Sequence, residues 1–154
     1  MKRNKIIMVL ALFFAFLTLT ACGGNNTALT ATQFKEKMAA KSGFQVVDVT
    51  KQYEGQDVKQ AYIATNGTWQ IEFYEQNSEK SAKTSFDINK SNFEKIKNST
   101  AVTTEKIVGN VSRYTQVSSG KFSVISRIDN TFIYLNVDER YKNEAQEILR
   151  DLGY

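Results

Sequence analysis

Apolar residues recur at every third or fourth position in three segments of the chain, and this spacing predicts three amphipathic helices. The predicted helices cover residues 31–42, 78–98 and 138–152. The first is expected to begin after a capping box, because Thr30 and Gln33 have the required spacing. We expect Gly43 to end this helix in a left-handed cap and Gly153 to stop the last helix.

Between the helices, apolar and polar residues alternate in short runs that predict seven strands. The first three runs are residues 44–50, 58–65 and 68–75. Asn66 and Gly67, between the last two runs, are a strong signal for a hairpin. A two-residue turn there would pair Ala64 with Trp69. Glu72 then lies on the less apolar face of the hairpin, where we expect a solvated charge.

Three further turn signals divide residues 102–137 into four short strands, a pattern typical of an antiparallel meander. The signals are Gly109-Asn110, Ser119-Gly120 and Asp129-Asn130. Strands are grouped between helices instead of alternating with them, which favours an α+β fold. We therefore expect one domain over residues 29–154, with an antiparallel sheet of about seven strands, including the C-terminal meander, and three helices packed on it.

Two-residue turns at all three signals would fix which residues of the meander share a face. One face is apolar and is the predicted core against the last helix; it carries Val108, Val111, Val117, Phe122, Val124, Ile128, Ile133, Leu135 and Val137. The opposite face mixes aromatic, apolar and charged side chains, a composition enriched in binding sites. The candidate binding residues on it are Glu105, Tyr114, Ile125, Arg127, Phe132 and Tyr134.

This mixed face has three interpretations. In the first, the helix over residues 78–98 or the first helix covers it, and Arg127 reaches the rim to pair with Glu105. In the second, the face is a partly open groove in which the tyrosines and Arg127 contact a ligand or a partner. In the third, a slip of one residue in the strand register exchanges the two faces.

The N-terminal residues have the composition of an export signal. Lys2, Arg3 and Lys5 form a positively charged start, and residues 6–17 are an unbroken apolar run. Shortly after the run come the letters LTAC, residues 19–22, with Cys22 as the only cysteine of the chain. This ending resembles the lipobox of bacterial lipoproteins, an aliphatic residue and two small residues followed by cysteine.

The resemblance implies that the Cys22 thiol receives a diacylglyceryl group and that a signal peptidase cuts between Ala21 and Cys22. Residues 1–21 would then be removed, and residues 22–28 would join the lipid to the domain as a flexible tether. Two acyl chains hold a protein firmly on a membrane. The predicted location is the extracytoplasmic face of the cell membrane. An ordinary secretory signal and an uncleaved membrane helix are the alternatives.

Removal of residues 1–21 also changes the charge of the protein. The full chain has 20 basic and 16 acidic residues, for a net charge of +4. Three of the basic residues and none of the acidic ones precede Ala21, so 17 basic against 16 acidic residues leave a net charge of +1. This near-neutral chain gives no electrostatic reason to expect nucleic acid as a partner. The excess of lysine over arginine favours a Gram-positive source.

The residue types present exclude several kinds of catalysis. The chain has no histidine and one cysteine, so no Ser-His-Asp or Cys-His arrangement and no cysteine-based zinc site is possible within it. We predict no cofactor, metal site or catalytic residue. The segments AYIATNGTWQIEFY and NTFIYLNVDERYKNEAQEILRDLGY are similar to small Gram-positive surface lipoproteins that have no assigned activity.

These observations favour a noncatalytic module that binds a small ligand or an envelope protein while anchored to the membrane. Two alternatives of other classes stay open. One is a cell-wall hydrolase that works without histidine and uses a pair of carboxylates. The other is a structural spacer of the envelope.

The lipid anchor predicts the outcome of one substitution. Cys22→Ala removes the thiol that would carry the diacylglyceryl group, so the variant should leave the membrane fraction or accumulate as an uncleaved precursor. Cell fractionation and immunoblotting against the unaltered protein measure both effects. Unchanged membrane retention together with unchanged processing would contradict the assignment.

Overall fold

The computed structural model describes residues 26–154, which form an α+β fold with one antiparallel sheet of seven strands. The helices are α1 (Ala31–Ala39), α2 (Glu79–Ile96) and α3 (Lys142–Leu152). The strands are β1 (Gln45–Asp48), β2 (Val58–Thr65), β3 (Gln70–Gln76), β4 (Val102–Val108), β5 (Val111–Ser118), β6 (Lys121–Ile128) and β7 (Thr131–Asp138). Their order in the sheet is β1-β2-β3-β7-β6-β5-β4, with every neighbouring pair antiparallel. The predicted fold class is therefore confirmed.

The N-terminus of α1 agrees with the sequence prediction, whereas its C-terminus differs from it. Thr30 and Gln33 form the predicted capping box. The helix stops at Ala39, and Ala40 keeps right-handed backbone angles at the C-cap. Gly43 has the left-handed φ of +83°, but it lies in the loop before β1. The prediction that Gly43 caps the helix directly was wrong, because the chain leaves the helix three residues earlier.

The end of the chain follows its prediction more closely. Asp138 caps a short 3-10 turn, Glu139–Tyr141, that precedes α3. Gly153 has a φ of +87° and ends α3 in a left-handed cap. Tyr154 then folds back into the core between the sheet and the helices.

The meander has the register that its turn residues predict. Val108 pairs with Val111 across the first turn, and the next two turns also contain two residues each. Ser119 and Asp129 have positive φ angles of 51° and 50°, as turns of this type require at their first position. The two faces of the meander are therefore the faces that the sequence predicts.

The β2–β3 hairpin differs from its prediction. Ala64 pairs with Ile71 instead of Trp69, so four residues, 66–69, form the loop. The side-chain oxygen of Asn66 accepts hydrogen bonds from the backbone N–H groups of Thr68 and Trp69, at 3.0 Å each, and stabilises this wider loop. A shift of two residues keeps every side chain on its predicted face, because side chains alternate with a period of two.

The first face of the sheet packs against α1 and α3. Its core contains the Phe34 and Phe73 rings, stacked with their centroids 4.8 Å apart. Such a pair stabilises the fold by about 0.5–1.5 kcal/mol beyond the burial of its area. Most of the predicted core residues of the meander lie here, but Val108 is 53 % exposed. All residues of β4, the edge strand of the sheet, are exposed.

The second face of the sheet packs against α2, whose buried residues are Ala82, Phe86 and Phe93. The domain therefore has three layers, with α1 and α3 on one side of the sheet and α2 on the other. Among residues 26–154, no helix combines the length and the apolar composition needed to cross a membrane.

The predicted signal peptide and Cys22 lie outside the described residues. The segment that follows them contacts the domain before Leu29. Asn26 donates its backbone N–H to the Asn110 side chain at 3.1 Å and accepts a hydrogen bond from that side chain at 2.7 Å. Ala28 packs against the first core. The described end of the predicted tether is thus attached to the domain, with Asn26 bound at the β4–β5 turn.

Candidate ligand-binding pocket

The strand register brings the six candidate binding residues together on the second face, as the sequence predicts. One row across the sheet contains Glu105, Tyr114, Ile125 and Tyr134. In a neighbouring row, Arg127 pairs with Phe132.

The helix α2 covers most of this group. Tyr114, Ile125 and Phe132 are 2 %, 0 % and 4 % exposed. Phe93 of α2 lies between two tyrosines of the sheet, with its ring centroid 6.5 Å from that of Tyr114 and 5.3 Å from that of Tyr134. The first of the three interpretations therefore describes this part of the face.

The two charged residues of this group, Glu105 and Arg127, do not pair with each other. Glu105 accepts a hydrogen bond from Lys90 of α2 at 2.5 Å. Arg127 is buried and donates to the backbone oxygen of Asp129 at 2.9 Å and to the Ser112 hydroxyl at 3.4 Å. The expected pair between Arg127 and Glu105 was wrong, because Lys90 neutralises the carboxylate from above the sheet. The Lys90–Glu105 pair ties α2 to β4, and Arg127 links residues of β5 and the β6–β7 turn.

Tyr134 differs from these residues because it is half-buried and borders a cavity beside α2. We call this cavity of about 290 Å³ the tyrosine pocket; its lining residues are Tyr53, Gln56, Val58, Glu72, Tyr74, Gln76, Ser85, Asn89, Phe132 and Tyr134. Two of the six predicted residues, Phe132 and Tyr134, therefore border an accessible site.

The floor of the tyrosine pocket is a block of four side chains from two adjacent strands. Glu72 pairs with Tyr134, and Tyr74 pairs with Phe132, across β3 and β7. The rings of Tyr74 and Phe132 stack with centroids 4.6 Å apart. Directly opposed side chains in a sheet lie close enough to interact in this way. The long-range pairing of β3 with β7 therefore creates the floor.

The walls come from two other elements. Tyr53 belongs to a 3-10 turn, Thr50–Tyr53, and meets the Tyr74 ring edge-on at 5.3 Å between centroids. Ser85 and Asn89 lie one turn apart on α2. Ser85 accepts a hydrogen bond from the Gln76 side chain at 3.1 Å, which ties α2 to the end of β3.

A chain of hydrogen bonds crosses the pocket in one direction. The Tyr74 hydroxyl donates a hydrogen bond to Oε2 of Glu72 at 2.6 Å. A phenol has a single proton to donate, so the Tyr53 hydroxyl must be the donor in its 2.8 Å contact with the Tyr74 oxygen. Gln70 donates to the other carboxylate oxygen of Glu72 at 2.9 Å. Glu72 is thus the final acceptor of this network, although the side chain is still half-exposed to solvent.

The pocket also changes the acidity of its tyrosines. Burial, followed by the hydrogen bond to Glu72, raises the pKa of Tyr74 far above its ordinary value. Burial and then the nearby charge of Glu72 raise the pKa of Tyr134. Both phenols therefore stay protonated in the folded protein at neutral pH, and neither is prepared to act as a base.

A second, larger groove adjoins the tyrosine pocket and shares Glu72 and Tyr134 with it. Its volume is about 540 Å³, and its charged residues farther along the sheet are Lys121, Asp138 and Arg140. Arg140 donates to both carboxylate oxygens of Asp138, at 2.9 and 3.1 Å, so these two charges neutralise each other. Within residues 26–154, no three His, Cys, Asp or Glu side chains are grouped so that they could hold a metal ion.

Sequence reasoning missed Tyr53, Glu72 and Tyr74 as site residues. Its two-residue hairpin turn already placed Glu72 and Tyr74 on one face of β3. What was missing was the β3–β7 pairing, which sets these residues beside Phe132 and Tyr134. Comparison of the chain with protein-family models, with curated proteins and with solved structures gives no match.

The burial of Tyr74 predicts its behaviour in alkaline solution. Its folded-state pKa lies above the ordinary tyrosine value of 10, so the protein loses stability as the pH rises above about 10. While folded, the protein and its Tyr74→Phe variant should show the same increase in tyrosinate absorbance at 295 nm. After unfolding in guanidinium, the unaltered protein should gain one tyrosinate more. A difference of one tyrosinate at about pH 10.5, with circular dichroism still native, would show that Tyr74 ionises normally.

Proposed function

We propose that the protein is a membrane-anchored surface lipoprotein whose domain binds a small ligand in the tyrosine pocket without catalysing a reaction. The observation that carries this proposal is the pocket itself, with aromatic walls and a few convergent polar groups around Glu72. A concave site of this composition is the usual form of a small-molecule site.

The pocket is held in shape by contacts that do not need a ligand. Tyr74 is fixed by Phe132 on one side and by its hydrogen bonds to Tyr53 and Glu72 on the other. The α2 wall is fixed by Phe86 and Phe93 in the second core. A preformed site binds more tightly because little side-chain freedom is lost on binding.

The attachment of Asn26 suggests how the domain would sit on the membrane. Cys22 is four residues before Asn26, so even a fully extended chain spans at most about 14 Å between them. Asn26 binds Asn110 at the β4–β5 turn. Asn130, in the β6–β7 turn at the same end of the sheet, donates to the backbone oxygen of Gln76. The tyrosine pocket reaches this end at Gln76, so a lipid on Cys22 would place the ligand site close to the membrane surface.

The arrangement of carboxylates favours binding over hydrolysis. Glu72 is the single carboxylate among the residues that line the tyrosine pocket. Tyr134 of β7 pairs with Glu72. Asp138, in the adjoining groove, is four residues farther along β7, a separation of about 13 Å at 3.3 Å per residue. Glycoside hydrolysis needs two carboxylates about 5 to 9.5 Å apart.

A panel of small probes in two-dimensional NMR tests the binding function. The probes are n-pentylammonium, 1-pentanol, glucose and butyrate, added separately to the protein up to millimolar concentrations. We expect at least one probe to give saturable shifts in the amides of Glu72, Tyr74 and Ser85, because these residues surround the cavity.

Two variants of α2 control this experiment. Ser85→Trp places an indole in the pocket and should abolish the shifts, whereas Asn92→Trp adds the same side chain at an exposed position and should preserve them. The proposal fails if no probe perturbs the pocket amides, or if binding is as tight in folded Ser85→Trp as in Asn92→Trp.

A further inference from the structure

We propose that the tyrosine pocket takes a ligand that carries a positively charged amine, with the ammonium group against Glu72. This inference rests on the proposed binding function and specifies the chemical class of the ligand. It follows from three features of the pocket: its unused hydrogen-bonding atoms, its charge and its aromatic faces.

Several donors of the pocket are already bound within the protein, while the Glu72 carboxylate keeps free acceptor positions. The protons of Tyr53 and Tyr74 are both committed to the chain that ends at Glu72. The amide groups of Gln76 and Asn89 donate to the hydroxyl and the backbone oxygen of Ser85, at 3.1 and 2.8 Å. Glu72 accepts one hydrogen bond at each carboxylate oxygen, which leaves room for one more at each.

The carboxylate therefore favours a ligand that donates hydrogen bonds. An alkylammonium group has three donors and also carries the charge opposite to that of Glu72. A sugar presents donors as well, but it has no positive charge to pair with the carboxylate. An anion would have to approach Glu72 with no basic residue among the lining residues to offset the repulsion.

Glu72 also lacks the counter-charge that comparable carboxylates of the domain have. Glu75, three residues along the same strand, accepts a hydrogen bond from Lys59 at 2.6 Å, and Glu105 accepts one from Lys90. In the part of the chain that the structure describes, no lysine or arginine forms a salt bridge with half-buried Glu72. Partial burial of a charge without a partner is unfavourable, so a cationic ligand would supply the missing interaction.

The aromatic lining strengthens the preference for a cation. Tyr53, Tyr74, Phe132 and Tyr134 all border the cavity that contains the Glu72 carboxylate. The face of an aromatic ring is electrostatically negative and attracts an ammonium group within about 6 Å of its centre. The rings and the carboxylate therefore act on the same charge.

Isothermal titration calorimetry with a matched pair of probes tests this inference. n-Pentylammonium and 1-pentanol have the same alkyl chain and differ in the charged head group. We expect the full protein to bind the ammonium probe at least tenfold more tightly than the alcohol at low ionic strength. Added salt should reduce the difference, because it screens the attraction to Glu72.

Two charge variants locate the interaction. Glu72→Gln keeps the size of the side chain and should weaken n-pentylammonium binding at least tenfold while leaving 1-pentanol binding unchanged. Glu147→Gln makes the same change of charge on an exposed position of α3, on the other side of the sheet, and should leave both affinities unchanged. Circular dichroism checks that each variant is folded.

The outcomes separate this inference from the proposed function. Equal affinities for the two probes, or binding of 1-pentanol, glucose or butyrate alone, would overturn the amine preference while the binding function stands. If none of the probes binds in the pocket, both the amine preference and the binding function are overturned. If Glu72→Gln does not fold, the comparison of the two probes on the unaltered protein decides the question.

Discussion

Burial of the second face of the sheet under α2 is the interaction on which the rest of the structure depends. Both faces of the sheet carry large apolar side chains, so each face must be covered to exclude water from them. Phe86 and Phe93 do this for the meander, where they pack above Tyr114 and Ile125. The helix is narrower than a sheet of seven strands, and β3 and β7 meet at its border. The tyrosine pocket is the space that results there.

The border of α2 is where the chemistry of the second face changes. Beneath the helix, Arg127 is buried and donates to Asp129 and Ser112. Beside the helix, the Tyr74 hydroxyl donates a hydrogen bond to Glu72, which stays half-exposed to solvent. The same packing that stabilises the fold therefore fixes the geometry of the site.

The sequence predicted the meander to the residue because its turns are local. Each turn contains residues that accept positive φ angles, and a two-residue turn leaves a single register. The β2–β3 loop was predicted two residues too short, since the side-chain hydrogen bonds of Asn66 outweigh the simple Asn-Gly signal. The position of α2 and the pairing of β3 with β7 depend on residues far apart in the chain. Those two features decide which candidate residues are buried, so the pocket could not be read from local patterns.

Glu72 is an acceptor whose cation comes from a ligand. A crystal structure of the protein with n-pentylammonium would show this interaction. We expect the ammonium nitrogen about 2.7–2.9 Å from a carboxylate oxygen of Glu72, beside the ring of Tyr74 or Tyr134. A structure in which a lysine or arginine of the protein itself pairs with Glu72, or in which the probe occupies another site and leaves the tyrosine pocket to solvent, would contradict it.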